Sequence, residues 1–185
     1  MAARDDLIRE LREHALVIGE VTLTSGRKSS YLIDAKRAIL RPPGFRALAE
    51  LTAAEVRERG ARAVGGMTMG ADPIACAALA GGAEVDAFFV RKERKQHGLG
   101  RAIEGPDLPP GTPCLIVEDV VTTGGSTIAA IERVREEGLE VCGVMAILDR
   151  LAGGAHAIRD AAGGAPYTAL TTIDDVYPDR PDRDG

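Results

Sequence analysis

Cys114-Leu115-Ile116-Val117-Glu118-Asp119-Val120-Val121-Thr122-Thr123-Gly124-Gly125-Ser126-Thr127 runs from an aliphatic segment through two acids into hydroxyls set around paired glycines. An apolar run that does not alternate with polar residues reads as a strand buried on both faces of a sheet. In open parallel sheets, ligands bind at the carboxyl ends of such strands. Glycines let backbone N–H groups close around an anion, and the N-terminus of the following helix adds partial positive charge. Residues 118–127 therefore read as a phosphate-binding turn. Its two carboxylates would repel a phosphate placed directly on them. They suit hydrogen bonds from sugar hydroxyls, or a share in holding Mg2+. The stretch contains neither Gly-x-x-x-x-Gly-Lys-Ser/Thr nor a Gly-x-Gly-x-x-Gly opening a first strand–helix turn. A plain strand–loop–helix turn, with Ser and Thr capping the helix, is the alternative. Capping accounts for neither the adjacent acids nor four hydroxyl residues around two glycines.

Working outward, residues 4–14 place Leu7, Ile8 and Leu11 among charges at helical spacing, which predicts an amphipathic helix. Residues 17–24 read as extended up to a turn at Ser25-Gly26, and residues 31–33 as a short strand. A Pro-Pro-Gly breaker at 42–44 precedes a helix over 45–59 that stops at Gly60. Strands follow at 63–66, 85–90, 114–117, 141–148 and 167–173, with helices at 73–80 and 125–137. This alternation predicts an α/β fold, a parallel sheet flanked by helices on both faces. The 185 residues suffice for one substantial core, so residues 1–185 are expected to form a single domain, with a loose tail over 174–185.

Hydrophobic residues at 45% and charged residues at 28% are the balance of a soluble globular protein. Aromatics at 3% and the lack of Trp leave the core to Ala, Val, Leu and Ile. A net charge of −5 argues against general affinity for nucleic acid. The longest apolar runs are too short to span a bilayer, and residues 1–7 carry no apolar signal segment. Cys76, Cys114 and Cys142 are widely spaced in apolar surroundings, without metal-ligand spacing. They read as small buried hydrophobes in a reducing, cytoplasmic setting.

Residues 91–113 break the rhythm with a connection of over twenty residues, a length typical of functional lids or disordered segments. Arg91-Lys92-Glu93-Arg94-Lys95-Gln96-His97-Gly98-Leu99-Gly100 sets five potential cations within seven residues. Such a cluster is often a solvated charge run. Here it follows a strand directly in an acidic protein, and Gly98 and Gly100 make it able to close, as a cationic lid over an anionic leaving group would. His14 and His156 lack neighbours that suggest ligation.

Residues 24–34, taken alone, read as a polar hairpin turn rich in N–H and hydroxyl donors. Arg150 follows the strand over 141–148, where its planar fork suits a ligand carboxylate or a surface acid. Residues 65–73 form a glycine-rich strand–helix turn in which Asp72 and Pro73 start the helix.

Val-Glu-Asp-Val-Val-Thr-Thr-Gly-Gly-Ser at 117–126 resembles the phosphoribosyl-pyrophosphate signature of the type I phosphoribosyltransferases. Arg-Lys-x-x-Lys-x-His-Gly at 91–98 resembles the catalytic loop of the orotate phosphoribosyltransferases, and residues 24–34 resemble their base-covering segment. The resemblance extends from about residue 7 to residue 173, with its motifs in the family's order. It implies the type I phosphoribosyltransferase fold with a small N-terminal hood over residues 1–40. The implied activity is transfer of the phosphoribosyl group of 5-phosphoribosyl 1-pyrophosphate to orotate, giving orotidine 5′-phosphate and pyrophosphate in de novo pyrimidine (UMP) synthesis.

On that resemblance Arg91, Lys92, Lys95 and His97 meet the pyrophosphate, and Glu118 and Asp119 the ribose. Val120, Val121, Thr122, Thr123, Gly124, Gly125 and Ser126 surround the 5′-phosphate. Lys95, His97 and Asp119 are the implied catalytic residues, and Thr122, Arg150, Ser25 and Lys28 the implied orotate contacts. Mg2+ is the implied cofactor, held mainly by the substrate pyrophosphate with no direct protein ligand. A homodimer is implied as well, its lid reaching the neighbouring subunit. Residues 65–73 resemble the family's loop that approaches pyrophosphate after an earlier strand. The chain departs from the pattern there at Met69, where some members carry lysine, and elsewhere at Ser30, where many carry proline. Two rival readings share the phosphate turn: a transferase for another base, and a regulator that senses the same ligand.

Overall fold

The computed structural model describes residues 2–22, 28–93 and 102–183. Helix α1 (Ala2–Glu10) runs into a single π-helical turn (Leu11–Ala15) and buries Leu7 and Leu11. Strands β1 (Leu16–Thr22) and β2 (Lys28–Ile33) pair antiparallel as a separate two-stranded sheet. Helices α2 (Lys36–Ile39) and α3 (Pro42–Arg59) lead to β3 (Ala63–Met67), α4 (Asp72–Ala80) and β4 (Asp86–Val90). The chain returns as β5 (Ile103–Glu104), then β6 (Pro113–Val121), α5 (Gly125–Glu136) and β7 (Glu140–Asp149). Helix α6 (Gly154–Ala162), strand β8 (Tyr167–Thr172) and helix α7 (Ile173–Val176) complete it.

The main sheet has the order β5-β4-β3-β6-β7-β8 and is parallel except at β5, which pairs antiparallel with β4. Successive strand residues point to opposite faces, so β6 feeds two cores. Leu115 and Val117 pack with α1, α3 and α4 on one side, and Cys114 and Ile116 with α5 and α6 on the other. The expected α/β class, a mostly parallel sheet covered on both faces, is what the chain adopts.

Several local readings differ. The prolines at 42 and 43 do not break the chain ahead of α3 but occupy its first turn, where the missing N–H is no loss. Strand β6 does not end at 117. It continues through both acids, with Glu118 opposite Ala146 and Val120 opposite Leu148, because backbone pairing with β7 is indifferent to side-chain charge. Helices α2 and α6 were not expected; α6 arises in a Gly/Ala-rich stretch where only Ile158 marks the buried face strongly. The return arm of the basic loop is partly ordered by β5. At the start of the tail, α7 carries a reciprocal capping box between Thr172 and Asp175, Val176 is buried, and Arg180 pairs with Asp174 and Asp182. Cys114 is buried as expected, but Cys142 is half-buried and Cys76 is exposed. No described helix is long and apolar enough to cross a membrane.

Candidate active site

The chain connects β3 through α4 to β4 on one side, and β6 through α5 to β7 on the other, while β3 and β6 are neighbours. This reversal opens a crevice at the carboxyl ends of β3 and β6. Both glycine-containing turns singled out in the sequence leave from it.

At the end of β6 the two acids face apart, as alternate strand residues must. Glu118 is 4% exposed, and its Oε2 accepts hydrogen bonds from the hydroxyls of Ser126 and Thr127, the latter at 3.0 Å. The Asp119 N–H donates to Glu118 Oε1 at 3.3 Å. Burial pushes the Glu118 carboxyl up to about 7; the Ser126 hydrogen bond opposes this and the neighbouring Asp119 charge reinforces it. Glu118 thus braces the first turn of α5 from inside, and the Ser126 hydroxyl is directed at it.

Asp119 turns toward the other side of the sheet. Its Oδ1 accepts the Val120 N–H at 2.8 Å, and its Oδ2 accepts from Lys36 Nζ at 2.9 Å. Lys36 Nζ also lies 3.0 Å from Asp34 Oδ1. Burial pulls the Lys36 ammonium downward, but hydrogen bonds and charge from Asp119 and Asp34 prevail and raise it above its ordinary 10.5. The turn after β3 closes over the same carboxylate: a Cβ on Gly70 would stand 2.6 Å from Asp119 Oδ1. Only a glycine allows so close an approach.

Residues 122–124 carry the chain from β6 into α5. Gly124 has φ +82°, and a Cβ there would press on Ile158 at 2.9 Å. That left-handed residue leads directly into α5, whose first N–H groups lack carbonyl partners of their own helix. The Gly154 N–H donates to the Thr122 carbonyl at 3.1 Å and backs the turn with the start of α6. Thr123 and Gly125 are in the same turn, Val120 is half-buried behind it, and Val121 is buried.

The register sets Val121 opposite Asp149, so Thr122 and Arg150 leave their strands side by side. Asp149 accepts the Leu151 N–H at 2.8 Å and the Tyr167 hydroxyl at 2.9 Å, which fixes the bend presenting Arg150. The Arg150 N–H donates to the Val121 carbonyl at 2.9 Å. Its Nη2 donates to the Tyr31 hydroxyl at 2.9 Å and lies 3.9 Å from Asp182 Oδ2.

The other expected residues are more scattered. Lys28 is exposed and pairs with Glu20 across the β1–β2 hairpin at 2.8 Å. Arg91 pairs with Glu104 at 3.2 Å, and the Lys92 carbonyl accepts from Arg133 at 2.8 Å, so both sit at the carboxyl end of β4. Lys95, His97 and Ser25 lie outside the described residues. Lys36, Tyr31 and Asp182 were not singled out in the sequence. An Asp-x-Lys placed directly after a strand was the available signal for Lys36; Tyr31 lay within the 24–34 segment that resembles the base-covering segment, and nothing local marked Asp182.

The family model of the Phosphoribosyl transferase domain matches residues 37–163, a span that holds β3, β6, both turns and Arg150. The orotate phosphoribosyltransferase of Corynebacterium glutamicum is 45% identical over 175 residues, covering 94% of each chain. That of Rhodopirellula baltica is 48% identical over 179 residues, covering 91% of each. The chain belongs to the orotate phosphoribosyltransferase family. Its fold superposes on the crystal structure of Mycobacterium tuberculosis orotate phosphoribosyltransferase with a TM-score of 0.84 at 38% identity, covering 95% of this chain and 99% of that one. Membership of the orotate phosphoribosyltransferases gives the Glu118–Thr127 turn its context. Tyr31 and Asp182 fall outside the span matched by the domain model.

Proposed function

We propose that this protein transfers the phosphoribosyl group of 5-phosphoribosyl 1-pyrophosphate to orotate, releasing orotidine 5′-phosphate and pyrophosphate in pyrimidine biosynthesis. The observation that carries this reading is the junction of the Thr122–Gly125 turn with Arg150 at the β3/β6 crevice: an anion cradle beside a guanidinium on adjoining strand ends.

In the reaction the anomeric C–O bond to pyrophosphate breaks and a C–N bond to the orotate ring forms, through a sugar with cation-like character. The N–H groups of the turn and of the α5 N-terminus bind the 5′-phosphate. Asp119 accepts hydrogen bonds from the ribose hydroxyls and lies near the developing positive charge. Glu118 holds Ser126 and Thr127, and through them the cradle. Arg150 takes the orotate carboxylate, with Thr122 beside it. Positioning and electrostatics supply the acceleration, so no protein nucleophile is needed.

Mg2+ would be held mainly by oxygens of the substrate pyrophosphate and would supply charge neutralisation of that leaving group. By family resemblance, Arg91, Lys92, Lys95 and His97 would contact the pyrophosphate, with the loop shared across a homodimer. The free thiols of Cys76, Cys114 and Cys142 favour a reducing, cytoplasmic location.

A panel of bases assayed with 5-phosphoribosyl 1-pyrophosphate, with and without Mg2+, tests the assignment. Orotate is turned over only with the metal. Turnover of adenine or uracil in place of orotate would overturn it. Sedimentation, together with mixed-variant complementation between Lys95→Ala and Asp119→Asn subunits, tests the shared lid.

A further inference from the structure

Asp119 is flanked on two sides, by the Lys36 ammonium at 2.9 Å and by the backbone of Gly70. Lys36 is delivered there by a rigid piece of chain. The Asp34 N–H donates to the Ala15 carbonyl at 3.0 Å, Asp34 Oδ1 accepts the Lys36 N–H at 3.3 Å, and α2 begins at Lys36 itself. The ammonium has three donors, and Asp34 and Asp119 account for two. At 37% exposure the side chain remains within reach of a ligand in the crevice.

Charge makes this placement more than packing. Phosphoribosyl pyrophosphate brings several negative charges toward a carboxylate, and like charges repel strongly where solvent is partly excluded. The turn after β3 offers no cation of its own: Thr68 donates to Asp72 at 2.6 Å, and Met69 is 72% exposed with only a thioether. Stability gives little reason for the Lys36 contact, because ion pairs this exposed contribute only about 0–1 kcal/mol.

We propose that Lys36 is a substrate-binding residue, supplying the positive charge that lets a pyrophosphate settle against the Thr68–Gly70 turn beside Asp119. The raised pKa of Lys36 keeps that charge in place throughout neutral pH. This inference rests on the crevice being the phosphoribosyl pyrophosphate site.

The test uses the full chain with Lys36→Ala, Lys36→Arg and the double variant Lys36→Ala/Met69→Lys. Calorimetric binding of phosphoribosyl pyrophosphate with Mg2+ needs no acceptor base, so it reads Lys36 separately from the choice of orotate. Lys36→Ala is expected to weaken that binding about tenfold or more, equivalent to about 1.4 kcal/mol. It should raise the KM for phosphoribosyl pyrophosphate in parallel and leave the KM for orotate within about twofold. Lys36→Arg retains most of the affinity, and Met69→Lys restores part of what Lys36→Ala loses. Unchanged binding in Lys36→Ala, or a loss confined to kcat that Met69→Lys does not relieve, overturns the proposal. Should Lys36→Ala not fold, Lys36→Gln carries the same expectation, since it keeps the stem and a donor without the charge.

Discussion

Arg150, from the end of β7, donates an Nη2 hydrogen bond to the Tyr31 hydroxyl at 2.9 Å while its guanidinium lies 5.0 Å from the centroid of the same ring. Tyr31 belongs to the β1–β2 hairpin, is 2% exposed, and is held edge-on by Tyr177, with ring centroids 5.3 Å apart. The sheet, the hairpin and the C-terminal segment therefore meet on one guanidinium. Such an arrangement selects one arginine rotamer ahead of any ligand.

Tyr31→Phe keeps the ring and removes the acceptor for Arg150. The expected cost in stability is about 1 kcal/mol, typical of one hydrogen bond. The KM for orotate should rise by about three- to tenfold, with the KM for phosphoribosyl pyrophosphate unchanged. Steady-state kinetics with each substrate varied in turn, alongside thermal unfolding, checks this.

Asp182 accepts from the Tyr31 hydroxyl at 3.0 Å and puts a carboxylate 3.9 Å from Arg150. A ligand carboxylate approaching Arg150 meets that charge. Asp182→Asn should lower the KM for orotate by about two- to threefold at low salt, with the difference shrinking as ionic strength rises. Kinetics at two salt concentrations is the measurement.

Glu118 yields a pH dependence with a definite sign. Its folded pKa of about 7 exceeds the ordinary 4.5, so between these values the folded state binds the proton and the unfolded state does not. The stabilisation is complete below about pH 4.5 and is lost as pH rises through about 7. Its ceiling is about 3 kcal/mol at 1.36 kcal/mol per pKa unit. Denaturant melts of the wild-type protein and of Glu118→Gln over this range should show the variant's curve flatter, the wild type losing stability relative to it as pH rises.

Gly70→Ala puts a methyl group within 2.6 Å of Asp119 Oδ1. Either the turn or the carboxylate must move, and displacements of this kind cost on the order of a hundredfold in rate. Turnover should fall on that scale, while the melting temperature changes by only a few degrees because the site is at the rim of the core. A crystal structure of the variant would show the displaced carboxylate.

Much of the sheet was legible because its signals are local. The aliphatic runs of β3, β4, β6 and β7, and the glycines that stop α3 and open α5, each specify a segment through neighbours a few residues away. The turn after β6 was legible for the same reason, since acids, hydroxyls and glycines are adjacent in the chain. Helix α6 escaped because it is only nine residues long and set between glycines at 153–154 and 163–164, although Ile158 and Ala162 mark a buried face opposite its polar residues. The contacts of the tail were not legible because its composition gives no periodic signal, whereas Asp175 caps α7 and Arg180 pairs with Asp174 and Asp182 through the fold.

By itself the sequence determined the fold class and marked the Glu118–Thr127 turn and Arg150 as the stretches to look at. Only the tertiary structure decided how those groups are held. Strand β6 runs on through Glu118 and Asp119, so the pleat sends one carboxylate into the base of α5 and the other into the crevice. Lys36 meets Asp119 from 83 positions away, and Tyr31 meets Arg150 from 119. No periodicity or motif encodes such contacts. They follow from the order in which the strands are laid side by side and from where the hairpin docks, which the whole core determines at once.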